Sequence, residues 1–133
     1  MQPPGHLAIG SWDNTFYGVE ASTGRRSWNV QGMGITQVAA AIGGSGPATT
    51  AYFVSNSGLV LAARVVDGIP LWRFELPLGS LTISGPVIGP EGRLIVAAGD
   101  GNVYCLVGAY CMCLTLHLPV VRCMTVLLLQ CGV

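Results

Sequence analysis

The sequence predicts an all-β fold made of short antiparallel strands that repeat about every 44 residues. Three observations carry this expectation. Trp28 and Trp72 stand 44 positions apart, as do Gly24 and Gly68 just ahead of them. Leu7-Ala8-Ile9-Gly10-Ser11-Trp12 aligns at that spacing with Ala51-Tyr52-Phe53-Val54-Ser55-Asn56, which aligns 43 positions further on with Leu94-Ile95-Val96-Ala97-Ala98-Gly99. Between these landmarks, β-branched and aromatic runs are bounded by Gly, Asp and Asn, and helical periodicity is absent. A period of about 40–45 residues built from short strands is the signature of a propeller blade.

The elements follow in chain order. The first unit, 7–31, reads as strands at 7–12, 15–21 and 25–31, separated by turns at Asp13-Asn14 and Ser22-Thr23-Gly24. The second, 37–76, reads as a strand at 37–42, a loop containing Gly43-Gly44-Ser45-Gly46, and strands at 51–56, 59–65 and 70–76, with turns at Ser57-Gly58 and Asp67-Gly68. The third, 84–106, reads as strands at 84–88, 93–99 and 102–106, with turns at Pro90-Glu91-Gly92 and Asp100-Gly101. Asp-Gly between apolar strands is a strong hairpin signal, and a two-residue turn of that kind expects positive φ at both residues. The Gly-rich loop reads as a flexible blade loop rather than a phosphate cradle, because no helix follows it. The expected architecture is a partial β-propeller of about three incomplete four-stranded antiparallel blades. The first blade lacks its first strand and the third its last.

Composition divides the chain once more. None of the five Cys precedes Cys105, and after Asp100 the only charged residue is Arg122. Residues 1–6 read as an N-terminal stub, 7–106 as propeller repeats, and 107–133 as an atypical Cys-rich apolar tail. The acidic residue, Thr-Gly and Trp expected after Leu106 are missing, as intron read-through, a frame shift or alternative splicing would leave them. The start Met1-Gln2-Pro3-Pro4-Gly5-His6 lacks the basic, then apolar, pattern of a secretory signal, so the expected location is cytoplasmic and the Cys are expected as thiols.

Of 133 residues, 51% are apolar and 9% charged, the net charge is zero, and Lys is absent. That excludes a basic stripe for nucleic acid. Arg25-Arg26 reads as a solvated strand end. The stretch 114–133 could span about 30 Å as a helix, but Arg122, Pro119, His117 and Gln130 argue against a membrane anchor. Leu114-Thr115-Leu116-His117-Leu118 alternates like an edge strand that could complete the third blade.

The stretch Gly18-Val19-Glu20-Ala21-Ser22-Thr23-Gly24-Arg25-Arg26-Ser27-Trp28 resembles the tryptophan-docking motif of the pyrroloquinoline-quinone-type (quinoprotein-like) β-propeller repeat, Ala-x-Asp-x-x-Thr-Gly-Lys-x-x-Trp. Residues 62–72 resemble it more weakly, matching at Ala62, Gly68 and Trp72, with Arg64 and Asp67 where Asp and Thr are usual. Gly99-Asp100-Gly101-Asn102-Val103-Tyr104-Cys105-Leu106 is similar to the family's Gly-x-Asp-Gly-x-Val-Tyr-Ala-Leu hairpin, and Ser84-Gly85-Pro86-Val87-Ile88 to its inner-strand lead-in. In physical terms, Gly24 and Gly68 supply turn conformations closed to other residues. Each Trp then lays its ring against the neighbouring blade and offers its N–H to a carbonyl. Gly24, Trp28, Gly68, Trp72, Asp100 and Gly101 are therefore expected as structural repeat residues.

For quinone-dependent dehydrogenases of this fold, the resemblance implies an adjacent Cys pair, a stacking Trp, and a calcium site with a catalytic Asp. The chain has no adjacent Cys pair, and Asp13, Asp67, Asp100, Glu20, Glu75 and Glu91 fall mostly in hairpin turns, so neither quinone nor calcium is expected. Cys105, Cys111, Cys113, His117 and Cys123 lack the paired spacing of a structural zinc site, so no metal is expected. His6 and His117 stand in no nucleophile motif, and no catalytic residue is assigned. The expected function is that of a non-catalytic propeller segment serving as a binding scaffold. Its partner is another protein or the remainder of a longer chain, and exposed blade edges offer a route to self-association. The alternative is a piece of a larger enzyme, since similar repeats occur in quinone-dependent dehydrogenases and as a carboxy-terminal propeller on an adenylate-forming acyl-activating enzyme. Similar propellers also serve as scaffolds in bacterial outer-membrane protein assembly.

Overall fold

The computed structural model describes residues 5–77, 84–107 and 121–125. Its strands form three sheets. The first, in order β1-β2-β3, consists of β1 (His6–Gly10), β2 (Thr15–Glu20) and β3 (Arg26–Gln31). The second, β4-β5-β6-β7, consists of β4 (Ala41–Gly43), β5 (Thr50–Val54), β6 (Leu59–Arg64) and β7 (Pro70–Glu75). The third holds β8 (Val87–Ile88), β9 (Leu94–Ala97), β10 (Val103–Val107) and β11 (Val121–Thr125), in order β11-β10-β9-β8. Every pairing is antiparallel except that of β10 with β11. Two single 3-10 turns, Gly46–Ala48 and Pro90–Gly92, are the only helical segments among the described residues.

This is the expected partial propeller, and among the described residues the first blade is short of its first strand. The third blade differs from expectation. It has a fourth strand, running parallel to β10 where a propeller hairpin would run antiparallel. Residues 114–118, expected to alternate as an edge strand, lie outside the described residues. The strand at 37–42 shrinks to β4 because the chain before it serves as a connector: the Thr36 hydroxyl donates to the Val54 carbonyl at 3.0 Å, and Asn56 N–H donates to the Ile35 carbonyl at 2.8 Å. The Gly-rich loop closes into an ordered turn at Gly46–Ala48, with Thr49 donating to the Gly46 carbonyl from both its N–H and its hydroxyl.

The turns repeat with the strands. Asn14 (φ 72), Gly58 (φ 88) and Gly101 (φ 84) occupy equivalent places in the three blades. Asp13 accepts the Thr15 N–H at 3.1 Å, and Asp100 accepts the Asn102 N–H at 2.9 Å. The expectation of positive φ at both Asp-Gly residues is corrected: only the Gly has it. The reason is a longer turn. Gly68 N–H reaches the Arg64 carbonyl at 2.8 Å, as Gly24 N–H reaches the Glu20 carbonyl at 2.8 Å, and one left-handed residue suffices to close it. The departure of the second copy from the family motif is compensated locally. Where the first blade pairs Thr23 with Glu20 at 2.5 Å, the second pairs Arg64 with Asp67 through two bonds of 2.9 and 2.6 Å.

The core lies between blades. Phe16, Trp28 and Met33 from the first blade and its connector meet Ala51, Phe53, Leu61, Ala63 and Val65 of the second. Val54, Val60 and Leu76 meet Leu94, Val96, Tyr104 and Leu106 of the third. Burying each of these large side chains stabilises by roughly 1.5–3 kcal/mol. Gly43 of β4 lets Ile88 of β8 approach to 2.7 Å of where a Cβ would sit, so the inner strands converge.

Candidate functional site

The repeat places Trp28 by a bulge. The β2–β3 register shifts between Gly18 and Val19, and the β6–β7 register shifts at the equivalent step, between Ala62 and Ala63. Such a bulge re-aims the side chains around it. The Trp28 indole lies over Gly18, where a Cβ would come within 2.0 Å of the ring, and against Gly68, where one would come within 2.5 Å. Its N–H donates to the Val65 carbonyl at 2.7 Å. Phe16 stacks on Phe53 with ring centroids 4.3 Å apart, and Trp28 meets Phe53 edge-on at 6.4 Å.

Trp72 takes a different arrangement. Ala62 stands opposite it, where Gly18 stands opposite Trp28, so the methyl occupies the space the first indole uses. Trp72 is half-buried and tilts against Tyr52 at 6.0 Å. Gly24, with φ 70, has no atom within 4 Å of its missing Cβ. The carbonyl of Ala21 and the flank of Gly24 thus form, on the first blade, the counterpart of the Val65–Gly68 cradle that holds Trp28.

That empty cradle borders a larger feature. The antiparallel register pairs Leu7 with Val19 and Ile9 with Tyr17 on one face of the first blade. The equivalent pairs are Ala51–Ala63 and Phe53–Leu61 in the second blade, and Leu94–Leu106 and Val96–Tyr104 in the third. The second quartet is fully buried and no member of the third exceeds 2% exposure, yet Leu7 is 50% and Ile9 44% exposed. Beside them Trp12 is 69% exposed. The four side chains of this face are uncharged, and Asp13, bonded to Tyr17, and Arg26, opposite Val19, stand at its margin. The face is shaped to take a preceding blade, and nothing in the described structure covers it. Sequence reasoning expects an open arc of blades to expose apolar faces but does not name these residues, although the four positions fall on the same 44- and 43-residue spacings as the Trp and Gly landmarks.

Tyr17 sits on this face and donates to Asp13 at 2.5 Å. That bond is the main reason the Asp13 carboxyl lies below its ordinary value and the Tyr17 phenol above its own. Tyr104 makes the equivalent bond to Asp100 at 2.5 Å, but there it is buried between blades. Asp100 and Gly101 therefore shape the turn that holds Tyr104 in the core.

Elsewhere, a cleft of about 430 Å³ opens between the first two blades, lined by Asn14, Met33, Gly34, Ser57, Leu59 and Glu75 among others. Among the described residues of its lining Glu75 is the one ionisable side chain, and it lies 3.6 Å from Arg73. Among the described residues no three of His, Cys, Asp and Glu come together, and no helix is long and apolar enough to cross a membrane. Of the candidate zinc ligands, Cys111, Cys113 and His117 lie outside the described residues, as does most of 114–133.

No family model matches the sequence, and no curated protein does. Among solved structures, BamB from Moraxella catarrhalis is similar with a TM-score of 0.59 at 21% identity, over 74% of this chain and 29% of that one. Quinohemoprotein alcohol dehydrogenase from Comamonas testosteroni is similar with a TM-score of 0.59 at 15% identity, over 77% of this chain and 17% of that one. Both are β-propeller proteins, and the likeness shows that fold. The chain spans less than a third of the length of either.

Proposed function

We propose that this chain is a quinoprotein-like propeller segment that acts as a non-catalytic scaffold for binding protein. The observation that supports the reading best is the apolar face of Leu7, Ile9, Tyr17 and Val19. It is left open on the first blade, although its equivalents in the other two are buried. An exposed apolar patch rimmed by polar turns marks a protein contact surface. Both structural neighbours, BamB among them, carry the same fold.

The second reading, a piece of a larger quinone-dependent enzyme, is favoured by the likeness to the quinohemoprotein alcohol dehydrogenase. One assay puts the scaffold reading directly at risk. The full chain is given pyrroloquinoline quinone, calcium, a primary alcohol and a dye acceptor. The scaffold reading expects no alcohol oxidation above the protein-free blank and no quinone-dependent quenching of indole fluorescence. Turnover would overturn it.

A further inference from the structure

The first blade has an open receiving face, and the third blade has the matching presenting face. Between the first two blades, the surface that carries Ala8, Phe16, Gly18 and Trp28 packs on the quartet of Ala51, Phe53, Leu61 and Ala63. Between the second and third, the surface of Tyr52, Val54, Val60 and Ala62 packs in the same way on Leu94, Val96, Tyr104 and Leu106. Carried one unit further, the presenting surface becomes Ile95, Ala97, Val103 and Cys105, joined by Val87, which like Cys105 pairs with Ile95. Val87 is 60% exposed, Ala97 is exposed, and Ile95 and Val103 are partly so.

We propose that a second copy of this chain docks head to tail, its third blade covering Leu7, Ile9, Tyr17 and Val19 of the first. The inference rests on the scaffold reading and names its partner. Both halves of an interface already used twice within the chain stand open in the described structure, and the side chains that would meet are uncharged, with Asp13 and Arg26 at the margin of the receiving half. The outer strand edges at β3 and β7, which offered another route to association, are less suited. The outer strands carry Arg26 on β3 and Arg73 and Glu75 on β7, and edge charges of this kind block strand-to-strand pairing. Because the two faces are unlike, the contact is heterologous and extends into a ring or a chain of copies.

The test is sedimentation velocity on the full chain under reducing conditions, with variants that block each face separately. Wild type forms species that grow with concentration. Ile9→Asp blocks the receiving face and Val87→Asp the presenting one, each weakening association by about tenfold or more. Mixed in equal amounts, the two variants form a complex capped at two copies, because one intact face of each kind remains. A misfolded variant could not restore binding in this way. Val66→Asp, which alters an apolar side chain 52% exposed on neither face, associates like wild type. A wild type that stays monomeric overturns the proposal, as does one that associates while the mixture does not. Neither result touches the scaffold reading, which turnover in the alcohol assay would overturn.

Discussion

Trp28 on the first blade donates its indole N–H to the carbonyl of Val65 on the second, 2.7 Å away and 37 residues on in the chain. The bond fastens one repeat to the next, and the ring that makes it is only 8% exposed. Replacing Trp28 by Phe leaves the Val65 carbonyl without that donor and is expected to lower stability by roughly 1–3 kcal/mol. Trp28→Ala also opens a cavity and costs roughly 3–5 kcal/mol. Urea unfolding of the three proteins measures both.

Gly24 and Gly68 test the same turn with and without a neighbour. Both have φ near 70, but a Cβ at Gly68 would meet the Trp28 ring at 2.5 Å, and one at Gly24 would meet nothing within 4 Å. Gly24→Ala is therefore expected to cost about 1 kcal/mol from backbone strain alone. Gly68→Ala adds displacement of the indole and is expected to cost at least about twice that. Equal losses in thermal or urea unfolding would mean that the Trp28 contact with Gly68 is not formed.

The Asp13–Tyr17 bond gives stability a pH dependence at both ends. The folded Asp13 carboxyl lies below its ordinary value of 3.8, so its contribution is present above that pH and is lost as pH falls through the folded value. Asp67, lowered chiefly by its bonds with Arg64, behaves in the same way. The Tyr17 phenol lies above its ordinary value of 10.0, so its contribution is present below pH 10 and is lost as pH rises through the folded value. Tyr17→Phe removes the alkaline loss and moves Asp13 back towards 3.8. Titration of the Asp13 carboxyl by NMR in both proteins checks the direction.

The Arg64–Asp67 pair stands in for Glu20–Thr23, so the two pairs are expected to be exchangeable. Arg64→Glu alone sets two carboxylates against each other and Asp67→Thr alone leaves Arg64 unmatched, and both lower the unfolding midpoint. The double variant rebuilds the first blade's pair and recovers most of the loss. A double-mutant cycle reads the coupling.

Much of this architecture was legible in the sequence, because a 44-residue spacing of Trp, Gly and apolar runs reflects blades that pack alike. What escaped it has physical causes. The length of the turn before Trp72 depends on the Gly68–Arg64 backbone bond, which the Asp-Gly pair alone does not reveal. Strand β4 is shortened by Thr36 and Ile35 bonding across to the second blade, a tertiary effect. Strand β11 has no counterpart in the repeat, so no spacing announced it. The open face was concealed because Leu7 and Ile9 read as ordinary strand residues until their equivalents, Ala51 and Phe53, were found fully buried.

The central claim is that the first blade exposes the face its successors bury, and Tyr17 and Tyr104 report on it directly because they are equivalent residues with equivalent Asp partners. Nitration with tetranitromethane in dilute solution, followed by peptide mass mapping, compares them within one molecule. Tyr17, partly exposed, is expected to be modified faster than Tyr104, which is 2% exposed. Equal rates at the two tyrosines would contradict the claim.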